Sequence, residues 1–312
     1  MSAANRHRIT DQRQIIPHLG RWMTAALLVG SVGCTAAADK PDVDTNPDVV
    51  RNVVCLQEPN LIESSGLAVS NSRANRWWTH NDSGDKARLF AFDQTGKKTG
   101  ECRLTDFQAD DWEDMASYTI GGRPRLILAD CGDNVGKRKS ISLYLFDEPD
   151  PNDQVNVDHV QELSVTYSDG PRDCEAIAVD TVHRQIVLVA KSALPLAGVY
   201  AIDLPDPSTQ PTKSKTNVIA KRISTLTIPM ISAMDIDPVN GDIWVVNYFQ
   251  AFRFKRSDPQ QELRNQFAAL PQVIDLPKWR QIEAVAVDQS HQVWITSEGK
   301  SSPLGRLNQS PK

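Results

Sequence analysis

Acidic residues recur in this sequence at one place in a repeated pattern, directly before a short run of small apolar residues. The copies of the pattern are residues 63–69, 111–116, 173–179, 231–236 and 281–287. Three copies carry glutamate where the other two carry Ser65 and Ser232; these are Glu113, Glu175 and Glu283. Carboxylate oxygens with few histidines nearby favour Ca²⁺ or Mg²⁺ over zinc. The repeat therefore indicates a site for a hard cation, provided that the fold brings the copies together.

The elements around these residues are short strands separated by polar turns, and they show no helical period. The pattern returns after roughly fifty to sixty residues, and each copy opens a group of up to four strands. Such groups predict an all-β fold, a β-propeller of four-stranded blades, over residues 51–309 as a single domain. Five blades are preferred, with six as the alternative because the longest interval has room for extra strands. The N-terminal strand at 51–56 would complete the last group and close the ring.

In a four-stranded meander, the start of the first strand and the end of the second lie at the same edge of the sheet. In a propeller this edge forms one mouth of the central channel. Crowded carboxylates there would raise one another's pKa values unless a cation or a basic partner neutralises them. We therefore expect Ca²⁺ as the cofactor, with these metal-ligating residues: Glu63, Asp111, Glu113, Asp114, Asp173, Glu175, Glu283, Asp82, Asp130 and Asp133.

Other residues of the same rim are candidates for binding a ligand. Arg138 and Lys191 could neutralise phosphate oxygens, and His80 lies at a strand exit. Trp112 could stack on a ring-shaped ligand, or it could wedge between two blades.

The cysteines beyond residue 50 allow three pairings. A disulfide between Cys131 and Cys174 is the preferred one, because both lie on this rim in adjacent blades. Cys55 and Cys102 are expected to stay unpaired, since they would lie on outer strands that splay apart.

The first 33 residues have the features of a signal peptide: a positively charged start and an apolar stretch over residues 22–32. Residues 31–34 resemble a lipobox, so we expect Cys34 to be acylated. The rival cleavage site, Ala-Ala-Ala at 36–38, would release the protein instead. Residues 34–50 are predicted to be a flexible tether. The expected location is the cell envelope as a membrane-anchored lipoprotein, with a soluble periplasmic or secreted protein as the alternative.

Composition narrows the range of functions. The net charge is −5, and the chain lacks the basic footprint of a nucleic-acid-binding protein. Contact with the membrane is expected only through the lipid anchor. The preferred function is binding of a small molecule or an envelope protein at the acidic mouth. The alternative is a metal-assisted phosphoesterase on the same rim, ahead of a glycosidase using paired glutamates or a serine hydrolase built around His80.

Five motifs together carry a resemblance to a known family. They are ESSGLA (63–68), HNDSGD (80–85), DWEDMA (111–116), GDN (132–134) and DCEAIAV (173–179). In this order they resemble bacterial exported β-propeller proteins that have no assigned activity. This resemblance implies a propeller and export, but no reaction. A more distant similarity to phytase-like propellers implies Ca²⁺ at an acidic channel mouth, used together with Lys and Arg to bind phosphoesters.

Overall fold

A computed structural model describes residues 43–107, 109–156, 159–206 and 214–309. The predicted signal peptide, Cys34 and the first part of the tether lie outside these residues. The predicted all-β class is confirmed, because almost every regular element is a strand. One helix, α1 (Leu263–Phe267), is an exception that the sequence reasoning did not anticipate. It is short and packs Leu263 and Phe267 into the core. Within the described residues, no helix is long and apolar enough to cross a membrane.

Within the described residues, the strands form five antiparallel meanders of four strands each. The first strands of the meanders are β2 (Ser64–Val69), β6 (Trp112–Ile120), β11 (Cys174–Asp180), β15 (Ile231–Ile236) and β19 (Ile282–Val287). The second strands are β3 (Arg76–Asn81), β7 (Arg123–Asp130), β12 (Gln185–Ala190), β16 (Ile243–Asn247) and β20 (Val293–Ser297). The third strands are β4 (Arg88–Asp93), β8 (Ile141–Asp147), β13 (Ala197–Asp203), β17 (Gln250–Phe254) and β21 (Pro303–Leu307). The fourth strands are β5 (Lys98–Thr105), β10 (Gln161–Tyr167), β14 (Ser214–Leu226), β18 (Gln272–Asp275) and β1 (Val50–Cys55).

The last meander is completed by the N-terminal strand, as predicted. β1 pairs antiparallel with β21, with Val50 opposite Leu307 and Cys55 opposite Pro303. The described residues begin before this strand, inside the segment expected to be a tether. The Asp44 carbonyl accepts a hydrogen bond of 2.8 Å from the Trp279 indole, and Val43 packs beside the last meander.

The core lies between neighbouring meanders. The first strands contact one another in the cyclic order β2, β6, β11, β15, β19 and back to β2. Five clusters of buried apolar side chains are found among the described residues, and each is built mainly from two adjacent meanders. The first strands are therefore covered on both faces, which explains continuous apolar runs such as residues 176–179 in β11 and 284–287 in β19. This propeller-like arrangement places the five repeated acidic segments at the inner edge of each sheet.

The longest interval between repeats holds one additional element. The short strand β9 (Gln154–Asn156) pairs in parallel with β5 and extends the first meander outward. A second parallel pairing, between β10 and β14, joins two neighbouring meanders into one eight-stranded sheet. Both additions lie at outer edges, so they leave the inner strands unchanged.

Candidate functional site

The acidic segments share a backbone irregularity that the sequence reasoning did not anticipate. In four of the first strands the pairing register shifts at one residue, and these residues are Glu113, Glu175, Ser232 and Glu283. In β2 the shift lies at Gly66, directly after Ser65. A β-bulge leaves one residue without a direct partner and turns its side chain away from the regular alternation. The three glutamates therefore leave the sheet pattern at equivalent places.

Asp82, Asp111 and Glu113 converge at the edge where the first strands begin and the second strands end, which we call the mouth. One carboxylate oxygen from each lies within 4.8 Å of the others. Gly132 makes room for them, because a Cβ atom at that position would overlap oxygens of Glu113 and Asp111. Burial raises the pKa of Asp111 to about 6, and the neighbouring Asp82 and Asp173 carboxylates add to the effect. Burial also raises the pKa of Asp82. We call these three residues the carboxylate cluster.

Glu113 interacts electrostatically both with the carboxylate cluster and with the ion pair formed by Glu175 and Lys191. Its side chain is almost completely buried, and burial followed by the charge of Glu175 raises its pKa far above the ordinary value. Glu175 is also buried, and its carboxylate lies 3.0 Å from Lys191 Nζ. The Lys191 ammonium in turn lies 5.9 Å from the centre of the Tyr248 ring. The mouth therefore places the partly buried ammonium group of Lys191 among several carboxyls.

Glu283 occupies the same bulge position in the last meander. Burial raises its pKa, and the carboxylate of Glu298 raises it further. The Gln281 amide donates a hydrogen bond of 3.2 Å to Glu283 Oε1. Glu63 is exposed at the same rim, and burial of part of its carboxyl together with Asp82 and Glu298 raises its pKa.

Asp114, although predicted as a metal ligand, has a structural role in this fold. Its carboxylate accepts hydrogen bonds of 2.8 Å from the backbone N–H of Met115 and of Ile177, which lies on the neighbouring first strand. Asp235 does the same in another meander, accepting from Ile236 N at 2.8 Å and from Val287 N at 2.7 Å. Both side chains therefore link adjacent first strands. Because both oxygens of Asp114 are used in this way, we no longer count Asp114 among the metal-ligand candidates.

The loop after β7 uses most of its polar groups internally. Asp130 is buried and accepts a hydrogen bond of 2.7 Å from Arg138. Asp133 accepts from the backbone N–H groups of Lys137 and Arg138, each at 2.8 Å. The carboxylate of Asp173 accepts a 2.8 Å hydrogen bond from Asp133 N. The loop that carries Gly132 is therefore held by contacts of Asp130, Asp133 and Arg138. None of these three residues belongs to the carboxylate cluster.

The two aromatic candidates for ligand binding are buried. His80 has no exposed surface, and burial lowers its pKa to about 4, so it is neutral. Its ring meets Trp112 edge to face at a centroid distance of 5.6 Å, and Trp112 is 1% exposed. Neither ring offers a face to a ligand, so the expectation of stacking on Trp112 is wrong. The alternative, in which this side chain wedges between two meanders, is the one that the structure contains.

The cysteines are all free thiols in the described chain. Cys131 and Cys174 do lie next to each other on this rim, as predicted. However, the Cys131 thiol donates a hydrogen bond of 3.0 Å to the Cys174 carbonyl instead of forming a disulfide. Burial raises the pKa of the Cys131 thiol well above its ordinary value, so the thiol stays protonated.

Three residues of the mouth were missed as site residues: Tyr248, Gln281 and Glu298. Burial raises the pKa of Tyr248 to about 12, and its ring lies beside Lys191. Tyr248 and Glu298 directly follow second strands, so their place at strand exits was the available signal. Taken together, the mouth offers oxygen donors, one ammonium group and one phenol.

Comparisons with known proteins do not identify a family. No protein-family model matches the chain, and no curated protein matches it. A solved gluconolactonase from Xanthomonas campestris aligns with 12% identity and a TM-score of 0.43, covering 78% of this chain and 72% of that chain. A glucose dehydrogenase gives 11% and 0.48, covering 83% and 99%. A luciferin-regenerating enzyme gives 12% and 0.45, covering 82% and 94%. At these sequence identities and TM-scores, the structural similarities assign no activity to this chain. The resemblance to exported propeller proteins stays a prediction.

Proposed function

We propose that the channel mouth binds a divalent oxygen-preferring cation, with Ca²⁺ as the first candidate, and that the bound cation holds an oxygen-bearing small molecule or a group on an envelope protein. The convergence of Asp82, Asp111 and Glu113 within 4.8 Å carries this proposal. Glu175 and Glu283, at bulge positions equivalent to that of Glu113, supply two more buried carboxyls.

The chemistry of the donor set fits such an ion. The cluster contains carboxylates only, and hard oxygen donors suit Ca²⁺ or Mg²⁺ better than zinc. Ca²⁺ takes about six to eight oxygen ligands, more than three side chains supply in monodentate binding. Positions would therefore remain for water or for an oxygen of the ligand.

Metal analysis of the purified protein and calorimetric titration with Ca²⁺ after chelation test this proposal. Asp82→Asn and Asp111→Asn should each weaken Ca²⁺ binding by about tenfold or more, since each removes a charged ligand. Asp203→Asn is the matched control, because Asp203 is exposed at the end of β13. Wild-type protein that binds no divalent cation, or equal binding by all three variants, would contradict the proposal.

A second candidate function is metal-assisted hydrolysis of a phosphoester. The Glu175–Lys191 pair favours it, because it places an ammonium group among the carboxyls of the mouth. Lys191 could neutralise a phosphoryl oxygen, while a bound cation would polarise the phosphorus centre and activate water. Turnover of p-nitrophenyl phosphate with Ca²⁺ or Mg²⁺ tests this function. Lys191→Met should abolish turnover but keep cation binding, whereas a pure binding protein would show no turnover at all.

We infer that the meanders are five blades of a closed propeller. The cyclic contacts of the first strands and the five inter-meander clusters support this count. The six-blade alternative finds little support, because β9 is the one additional strand among the described residues of the long interval.

We also propose that the protein is exported and anchored by a lipid on Cys34. The supporting observation is the sequence of residues 22–34, an apolar stretch followed by a lipobox-like segment. Cys34→Ala should move the protein from the membrane fraction to the soluble exported fraction. A wild-type protein that is already soluble would instead indicate cleavage at residues 36–38.

A further inference from the structure

We propose that the first meander carries an anion-binding pocket at the end opposite the acidic mouth, suited to a phosphate group. β2 and β4 both run away from the mouth, so the turns that follow them lie together at the far end of this sheet. Between these turns is a cavity of about 470 Å³. We call it the anion pocket, and its donor-bearing lining residues are Arg73, Asn75, Arg76, Gln94, Thr95 and Thr99.

The guanidinium group of Arg76 is buried and incompletely hydrogen-bonded. The residue is 7% exposed, yet its Nη1 atom is buried without a hydrogen-bond partner. Its guanidinium carbon lies 5.9 Å from the centre of the Trp78 ring, a contact that supplies no hydrogen-bond acceptor. A buried charge is costly unless it is paired and hydrogen-bonded. Burial accordingly lowers the pKa of Arg76. Arg76 also lines the cavity, so an anion bound there would place a compensating negative charge beside this guanidinium.

The neighbouring carboxylates are already used by other donors. Glu148 raises the pKa of Arg76 through its charge, but its oxygens accept from the Trp78 indole at 3.0 Å, from the Ser70 hydroxyl, and from the backbone N–H of Asn71 and Ser72 at 2.9 and 3.0 Å.

Asp93, the one carboxylate in the pocket lining, is committed in the same way. One of its oxygens accepts from the backbone N–H and the hydroxyl of Thr95, at 2.8 and 2.6 Å, and from Lys97 N at 3.2 Å. Asp150, whose charge also reaches Arg76, is exposed to solvent. These groups lower the cost of the buried guanidinium without forming an ion pair with it.

The donors around the cavity define the class of ligand. Two guanidinium groups, two side-chain amides and the Thr99 hydroxyl surround it, whereas the Thr95 hydroxyl already donates to Asp93. Arg73 is exposed at the entrance and adds a second positive charge. Arginine binds oxyanions with paired N–H donors, and phosphate offers several acceptor oxygens in a suitable geometry. The volume lies in the range of small-molecule sites, so it accommodates inorganic phosphate or the phosphate group of a small phosphomonoester.

The test is calorimetric titration of the full chain with inorganic phosphate and, separately, with phenyl phosphate. A chelator is present, and ionic strength is held constant with sodium chloride. Both titrations are expected to show saturable binding at one site. Tighter binding of phenyl phosphate would assign the pocket to phosphomonoesters, and tighter binding of inorganic phosphate would assign it to the free ion. Arg73→Gln should weaken binding by about tenfold, the loss of one charge-assisted contact.

The matched control is Arg184→Gln, because Arg184 is an exposed arginine on the corresponding hairpin of the third meander. It removes the same charge and should leave phosphate binding unchanged. Asp82→Asn at the acidic mouth should also leave it unchanged, so this proposal and the proposed cation site succeed or fail separately.

Arg76→Gln gives a readout that a structural role would not produce. Without phosphate, its melting temperature should equal or exceed that of the wild type, because a buried unpaired charge has been removed. The increase in melting temperature that phosphate causes in the wild type should be lost. The proposal is overturned if phosphate binds no better than chloride at equal ionic strength. It is equally overturned if Arg73→Gln and Arg184→Gln bind phosphate alike, or if Arg76→Gln is destabilised without phosphate and keeps the phosphate effect.

Discussion

Lys191 lies 3.0 Å from the carboxylate of Glu175, and this ion pair sits among the other carboxyls of the channel mouth. Both side chains are largely buried, so the pair is weakly screened by solvent. The mouth therefore holds a positive charge of its own before any cation arrives. A divalent cation bound by the carboxylate cluster would have Lys191 as a neighbour rather than as a distant surface charge.

Lys191→Met should lower the stability of the metal-free protein by about 2–4 kcal/mol, because it leaves Glu175 buried without its partner. Ca²⁺ should recover much of this loss, since it supplies positive charge to the same mouth. Urea unfolding with chelator and with Ca²⁺ measures both effects. Lys221→Met is the control, because Lys221 is exposed on β14 and its replacement should change little. Equal stability of wild type and Lys191→Met in chelator would show that the pair contributes nothing.

Glu113→Gln should weaken Ca²⁺ binding by about tenfold or more while leaving metal-free stability unchanged or higher. The reason is that Glu113 is crowded by the charges of Glu175, Asp82 and Asp111, which raise its pKa together with burial. Glu175→Gln is the informative comparison, because it should destabilise the metal-free protein by separating Lys191 from its partner. Calorimetric titration measures the Ca²⁺ affinity of both variants, and urea unfolding in chelator measures their metal-free stability. Strong destabilisation by Glu113→Gln would make this glutamate a structural residue.

Asp114→Ala should cost about 2–3 kcal/mol of stability, since it leaves the buried N–H of Ile177 without an acceptor. Asp235→Ala should cost a similar amount, because Asp235 links two first strands in the same way. Both variants should keep the Ca²⁺ affinity of the wild type when measured well below their melting temperatures. Loss of Ca²⁺ binding in Asp114→Ala alone would return Asp114 to the metal site.

The metal-free protein should lose stability as the pH rises from about 4 to 6, because the folded state keeps Asp111 protonated over a range in which the unfolded chain has released that proton. This contribution is fully present below the ordinary carboxyl pKa of 3.8 and is lost as the pH rises through about 6. With Ca²⁺ the trend should reverse, since the cation requires the ionised carboxylate. Unfolding midpoints across this range, with chelator and with Ca²⁺, provide the measurement, and Asp111→Asn should flatten both curves.

Much of the fold could be predicted from the sequence, because the same short segment of polar and small apolar residues recurs five times along the chain. Each first strand begins within one residue of the start of a repeated segment, such as β15 (Ile231–Ile236) in the segment 231–236. Strand β9 and helix α1 were missed, because three or five residues at an outer edge carry no pattern of their own.

The candidate site was predicted less completely. Topology correctly placed Glu113, Glu175 and Glu283 at equivalent inner positions, but it could not reveal the bulges that turn them. Asp114 follows Glu113 directly, and only the three-dimensional contact with Ile177 N separates a strand link from a ligand. The burial of Trp112 between two meanders is likewise a property of packing rather than of sequence spacing.

The pairing of β1 with β21 also governs how the chain reaches its final state. Val50 and Leu307 are among the most distant residues in the described sequence, yet they are direct neighbours in one sheet. Loop closure on this scale is a slow step, so we expect the fold to finish late, only after the last strand has been synthesised. Until then, β1 and β20 both lack the strand that pairs with them, and such unpaired edges invite association with another chain. Premature termination before residue 303 would therefore expose an aggregation-prone edge rather than merely shorten the protein.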